Sequence, residues 1–450
     1  MNYLQIGKNS AIKPQNFEER VVWYSILGTY VLYALGLLYI FNYTIAWVLL
    51  FYLCFKLWHQ TPDTPNKQKI KIPWIMWLWI FCMLVMLVAT YAGLSNFSYS
   101  NKIILRELIL WGRTWALIAL FPLAGCCLNI RPQLVYRANC LLCLQSLFVI
   151  PISCGAYLLK LPHVIYISPV KAITKSSSAF YDVIFYFKEI ASDGGGFRLA
   201  LFAPWPPALA LLAMLFFIFA LQEKNKKLRW IGLSTSILIA LLTASRTAIV
   251  CLPFVLTVVF FLTNIYRVSI QILTSFVCFV SGIFSSFILD TIQSLKNTFT
   301  NSRLASSRVR DTLARISLER SKDAPIWGHG LLHPGFKGTE DMPIGSHHTW
   351  IGLLFIKGWV GFFAFLIPFV SSFIYLVIKA HHNQTAKVGL YFLLILLVYS
   401  FAENQEALSY LYWSGLLVMG IAFKEQKEEQ EENIEKETVF SKPKVINNIT

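Results

Sequence analysis

Arginine and histidine are the side chains in this sequence whose types and spacing could do chemistry. Arg198 follows the triplet Gly194-Gly195-Gly196 in Gly-Phe-Arg-Leu-Ala-Leu-Phe-Ala-Pro-Trp-Pro, and Arg246 stands in Thr-Ala-Ser-Arg-Thr-Ala between two apolar runs. Arg308 and Arg310 lie in a basic stretch, and His347 and His348 come just before Trp350, where an apolar run begins. A guanidinium stays charged at any working pH and offers a rigid fork of donors suited to phosphate oxygens. Several converging on one face would bind a diphosphate leaving group and stabilise the charge that develops as a glycosidic bond breaks. Histidine, with a reference pKa of about 6.5, can take a proton from an attacking sugar hydroxyl. The plainer reading of His347 and His348 is an interfacial pair bonded to backbone, and residue types alone do not choose between the two. His329 and His333 lie nearby, but no carboxylate or Cys completes a metal-ligand set with them, so no metal is expected.

The elements that hold these side chains must cross a membrane. Hydrophobic residues make up 56% of the chain and charged residues 14%, against about 25% charged in a soluble domain. Such a chain lacks the polar surface to face water on all sides, which excludes a soluble globular enzyme. Its many aromatic residues fit rings placed at bilayer interfaces. Apolar spans read as 21–41, 43–57, 73–93, 103–128, 138–159, 198–221, 230–245, 248–262, 269–289, 350–378, 389–402 and 408–423. The runs on either side of Ser245-Arg246 are separated because together they far exceed one crossing. The first span follows Lys8, Lys13 and Arg20 and is too long for the core of a signal peptide, so it is expected to be retained.

Charge distribution then orients the chain. Lys56, Lys67, Lys69 and Lys71, then Arg131 and Arg137, then Lys224, Lys226, Lys227 and Arg229, then Arg267, then Lys379 and Lys387 occupy alternate loops. Twelve spans with both termini cytoplasmic satisfy the positive-inside rule at every short loop. The net charge of +16 is therefore read as orientation and not as nucleic-acid binding. The nine cysteines fall in or beside apolar runs, so no disulfide framework is expected, and Cys140-x-x-Cys143 reads as packing. Residues 1–423 form a single transmembrane domain, and 424–450 a charged cytoplasmic tail expected to be solvated and disordered. The expected fold is an all-α polytopic membrane protein of about twelve transmembrane helices.

Two long loops, 160–197 and 290–349, lie on the external face in this topology. Between Lys296 and Lys322 the second carries seven basic residues against Asp311 and Glu319, a bias opposite to the orientation trend and therefore a candidate anion site. Residues 304–320 read as a helix with Val309, Leu313 and Ile316 on an apolar stripe. Arg308, Asp311, Arg315 and Glu319 share a second face, while Arg310 falls on neither, beside Ala314 and Ser317. Arg106, Glu107 and Arg113, with Glu403 and Glu406, are expected to pair with one another and hold helices together.

Ser306-Ser-Arg-Val-Arg310, Asp323-Ala-Pro-Ile-Trp-Gly-His-Gly330, Gly345-Ser-His-His-Thr-Trp-Ile-Gly-Leu-Leu354 and Lys357-Gly-Trp-Val-Gly361 occur in that order. With Ser245-Arg246 between short spans, the chain resembles the bacterial O-antigen ligase and O-antigen polymerase superfamily. The interval to Gly358 and Gly361 selects His347 as the family histidine, and His348 stands where the family has Asn. The resemblance implies a glycosyltransferase C-like membrane architecture and a cofactor-free, metal-independent enzyme of the bacterial cytoplasmic (inner) membrane, acting at its external face. The implied donor is a glycan on undecaprenyl diphosphate. The acceptor is lipid A–core sugar for a ligase, or another lipid-linked glycan for a polymerase. His347, Arg246 and Arg310 would be catalytic, and Arg198, Arg308, His348 and Trp350 would bind substrate. A lipid-linked glycan flippase is the remaining alternative, disfavoured because the charges sit at the external rim and do not line a path through the membrane.

Overall fold

The computed structural model describes residues 12–61, 69–174, 179–188, 196–301, 304–335 and 342–424; most of the charged tail lies outside these. Helices α1 (Phe17–Leu27), α2 (Thr29–Ala34), α3 (Leu38–Trp58), α4 (Trp74–Asn96), α5 (Asn101–Arg113), α6 (Trp115–Cys127) and α7 (Pro132–Leu158) form the first half. Then come two small antiparallel ladders, β1 (Val164–Ile167) with β2 (Asp182–Ile184) and β3 (Phe187–Lys188) with β4 (Phe197–Arg198), and the short α8 (Pro169–Thr174). The second half holds α9 (Pro206–Gln222), α10 (Lys226–Leu242), α11 (Arg246–Asn264), α12 (Val268–Ile283), α13 (Ser285–Asn301) and α14 (Leu304–Arg320). It ends with α15 (Thr349–Ala380), α16 (Gln384–Ser400), α17 (Gln405–Leu408) and α18 (Trp413–Phe423).

Helices occupy every stretch expected to span, but twelve crossings are not what length and composition support. Among the described residues six helices are long and apolar enough to cross, or seven if α12 and the described part of α13, bent by 81° at Phe284, count as one. Three more, α9, α16 and α18, are apolar but shorter. The first two expected spans are also divided differently. Gly36, with φ +67, ends the entry helices, and α3 begins at Leu38 and runs on to Trp58. Sequence hydropathy stays high across that break, so only the backbone reveals it.

At one end of the bundle the basic loops are tied together. Lys56 pairs with Glu18 at 2.7 Å and Arg131 with Glu19 at 2.7 Å, both carboxylates being almost fully buried. Arg137 pairs with Glu223, Gln384 donates to Gln222, and Lys379 and Lys424 join the same end through the Lys424 carbonyl and Asn129. Buried carboxylates persist because each has a cation and backbone donors.

The opposite end carries the long loop, and α15 is built to receive it. At Gly358 the backbone takes φ 62, ψ −164, a conformation essentially restricted to glycine, and the helical ladder is interrupted. The freed groups are satisfied by the loop: His329 N and Gly330 N donate to Phe355 O and Ile356 O, and Trp359 N and Val360 N donate to Pro325 O and Ile326 O. The Pro-x-x-Gly-x-Gly segment is thus a backbone splint across a broken helix. A side chain on Gly328 would strike the Ile356–Gly358 backbone, and one on Gly361 would strike Lys357 Cβ, which the kink brings onto it. We expect Gly358→Ala to cost ~1–3 kcal/mol in backbone strain alone, with more from collision with the Ile326 carbonyl. Thermal unfolding in detergent should therefore fall clearly below that of the parent; an unchanged transition would contradict the splint.

Candidate active site

Helix α14 presents three faces, as its spacing predicts. Leu313 is buried with Ile344, Phe355 and Ile356 in a small core that Val309, Ile316 and Met342 extend. Arg308, Asp311, Arg315 and Glu319 face outward. The third face, Arg310, Ala314 and Ser317, lines a cleft of about 220 Å³ whose other wall is Gly345, Ser346, His347, His348, Ile351 and Gly352. Arg310 and the histidine pair are therefore brought to one place, whereas Arg308 is on the far side of the helix.

The histidines are set by the turn into α15. Gly345 adopts φ +93, and its carbonyl packs so closely on Gly352 that a Cβ there has no room. His348 is the N-cap of α15: its Nδ1 accepts the Ile351 N–H at 3.3 Å. Asn is among the strongest N-cap residues, which explains physically why Asn can stand at this position in the family pattern. His347 is left over the cleft, with its Nε2 buried and without a hydrogen-bond partner. Burial, reinforced by the Arg310 charge, pushes the His347 pKa down to about 4. The imidazole is thus neutral through the neutral range and keeps a lone pair for a proton. His348→Asn should retain both the helix start and transfer, while His348→Ala should lose about 1 kcal/mol of stability. Loss of transfer in His348→Asn, at unchanged thermal stability, would move the base from His347 to His348.

Behind Arg310 lies a hairpin from a distant part of the chain. Arg310 Nη1 approaches the Ala402 carbonyl at 3.5 Å, and Nη2 lies 3.7 Å from Glu403 Oε1. Glu403 is 3% exposed, and its Oε2 accepts the Trp205 indole N–H at 2.9 Å. Burial raises the Glu403 carboxyl above the ordinary carboxylate range, against the pull of Arg310 and Arg198. Thr349 latches the hairpin to the first turn of α15 by donating to Glu403 O and accepting from Gln405 N. Of the charges expected to pair with one another, Arg106 does pair with Glu107, but Arg113 lies over Tyr43 and Glu403 faces Arg310. Nothing local to Glu403 in sequence announces the Arg310 contact.

Arg198 and Arg246 both stand at the corner between α10 and α11. Leu199 N donates to Leu242 O, and Arg198 Nε donates to Thr243 O at 2.9 Å. Ala244, at φ 48, turns the chain so that Arg246 opens α11, half-buried. Helix α11 packs on α16, which leads to Glu403, whose carboxyl feels the Arg198 charge. Trp350 does not line the cleft. It is 9% exposed, donates to Ser400 Oγ at 2.7 Å and packs among Phe362, Phe365 and Phe369, so its amphipathic ring joins α15 to α16. Among the described residues no three His, Cys, Asp or Glu side chains stand together as a metal-ligand set.

Residues 231–366 match the family described as O-antigen ligase. That segment of the chain is similar to the O-antigen ligase family. The match supports a relation to the O-antigen ligase/polymerase superfamily and, in general, a glycosyltransferase-like activity of ligase or related polymerase type. Among curated proteins none matches the chain. The matched segment contains Arg246, Arg308, Arg310, His347, His348 and the splinted kink of α15, while Arg198, Trp205 and Glu403 come from outside it. All the residues that line the cleft lie within the matched segment, and Glu403 and the Ala402 carbonyl approach Arg310 from outside it.

Proposed function

We propose that this chain transfers a glycan from undecaprenyl diphosphate to a sugar hydroxyl at the external face of the bacterial cytoplasmic membrane, as an O-antigen ligase. The observation that carries this reading is the shared cleft of Arg310 and neutral His347, backed by a buried carboxylate. In the proposed reaction His347 Nε2 takes the proton of the acceptor hydroxyl as that oxygen bonds to the anomeric carbon. The bond from that carbon to the diphosphate breaks, and its electron pair stays on the leaving diphosphate. Arg310, Arg246 and Arg198 bind the diphosphate and offset its growing charge. Arg308, outward-facing, is left as a contributor to the field that gathers anionic donor at the surface.

The acceptor in this reading is lipid A–core sugar. A polymerase would use a second lipid-linked glycan with the same proton transfer and the same leaving group, and so the same side chains. The gathering of basic loops and both described chain ends at the bundle end opposite the cleft supports a topology with termini in the cytoplasm. Shorter helices such as α9 and α16 are read as completing the crossings.

The test is the lipid-linked glycan profile of a strain lacking the protein. Long chains stranded on undecaprenyl diphosphate at the outer leaflet are expected for a ligase. Single repeat units at the outer leaflet would assign a polymerase, and units confined to the cytoplasmic leaflet would overturn transfer in favour of flipping.

A further inference from the structure

A second cavity, also about 220 Å³, adjoins the cleft and shares Gly345 and Gly352 with it. Its walls include Trp115, Thr349, Lys357, Asn404 and Glu406. Lys357 is 4% exposed, and among the described residues its hydrogen-bond partner is the Thr90 hydroxyl at 2.6 Å. An ammonium has three donors, so Lys357 keeps N–H groups beyond the one given to Thr90. No ion pair joins it to Glu406, the carboxylate across the same cavity, beside which lie the Trp115 indole and the Thr114 hydroxyl. A buried charge inside a membrane protein is costly and is retained where it does something.

The kink at Gly358 aims this lysine. With the helix broken there, Lys357 Cβ rests on Gly361, and the side chain runs back toward Thr90 on α4. Both glycines of the Gly-x-x-Gly segment thus serve the position of Lys357 as well as the docking of the loop.

Charge distinguishes the two cavities. The first, the proposed diphosphate site, is lined by the Arg310 guanidinium with no carboxylate among its wall residues. In the second, Lys357 and Glu406 balance, and Glu107 is already held by Arg106 at 2.8 Å. A phosphate gains nothing net there, whereas a neutral ring bearing many hydroxyls finds an ammonium donor, a carboxylate acceptor, an amide and an indole. Together these groups suit hydroxyls that both donate and accept.

We propose that the Lys357–Glu406 cavity is a saccharide subsite, holding a neutral, hydroxyl-rich sugar ring of the acceptor glycan next to the hydroxyl that His347 deprotonates. The proposal rests on the transfer reading above and adds the residues that select the acceptor. Lys357 and Glu406 bind the sugar and take no part in breaking or forming bonds.

The test uses membranes carrying the full chain and its lipid-linked donor. The soluble probe is oligosaccharide freed of lipid by mild acid from the host's own surface glycan, titrated as acceptor or competitor. Lys357→Met and Glu406→Gln should each raise the half-saturating oligosaccharide concentration about tenfold, with the donor constant unchanged within about twofold. Where Glu406→Gln fails to accumulate, Glu406→Asp, which keeps the charge on a shorter arm, supplies the same readout. An unmoved oligosaccharide constant overturns the subsite, as does a shift confined to the donor. Recovered abundance in the Lys357→Met/Glu406→Gln double variant, with a normal oligosaccharide constant, would make the pair purely structural and also overturn it. Full transfer by His347→Ala would instead sink the underlying reading, whichever way the oligosaccharide constants fall.

Discussion

Replacing His347 by Ala is expected to lower glycan transfer roughly a hundred- to ten-thousand-fold, the range that a positioned general base contributes. The protein should remain in the membrane at its normal level. His347 makes no hydrogen bond through Nε2, and the start of α15 is capped by His348, so the substitution removes no structural bond at that atom. Its pKa of about 4 sets the sign of the pH dependence. The neutral imidazole is the active form of a base, so transfer holds through the neutral range and declines as pH falls through the lowered pKa. An acidic limb centred near the ordinary histidine value would mean that the titrating group is not the buried His347. Initial rates of transfer across pH, in parent and His347→Ala membranes, check both statements.

Arg310→Gln should cost roughly a hundred- to thousand-fold in transfer, as loss of one preorganised donor to a developing anion does. Arg310→Lys should recover little of it, because an ammonium cannot present a fork to two phosphate oxygens. Two effects separate this residue from a purely structural arginine. Removing the Arg310 charge relieves one of the two causes that depress His347, so the acidic limb should move up in pH, though not to the ordinary value because burial remains. It also leaves Glu403 buried with the Trp205 indole and Arg198 but without its nearest cation. Arg310→Gln paired with Glu403→Gln should therefore recover stability relative to the single variant without recovering transfer. A double variant no more stable than the single one would show that the 3.7 Å approach carries no energy.

Much of the site was legible because its periodicity is local. One turn of α14 separates the apolar, solvent and cleft faces, and residue spacing alone placed Arg310 beside Ala314 and Ser317. The late pair of histidines before an apolar run likewise marked where a polar group meets a membrane helix. The unread part is long-range or conformational. Glu403 lies 93 positions from Arg310, so no helical period could join them. An aromatic at a membrane boundary suits either an interface or a core, and the packing of Trp350 onto α16 shows only in its bond to Ser400. Lys357 was noticed only as the start of a glycine motif. Its burial follows from a positive φ at the next residue, which sequence permits but does not require. Span counting met the same limit, since hydropathy reads composition along the chain and misses breaks such as Gly36 and Phe284.

The central claim is that a glycosidic bond to a lipid diphosphate is broken and remade at the Arg310–His347 cleft. The most direct measurement reconstitutes the purified full chain in liposomes with undecaprenyl-diphosphate-linked glycan, labelled separately in lipid and sugar, and an acceptor glycan. The account predicts that free undecaprenyl diphosphate and glycosylated acceptor appear in equal amounts with the parent chain, and that both vanish together in His347→Ala. Label crossing the bilayer with the lipid–sugar bond intact, or equal product from His347→Ala, would contradict it.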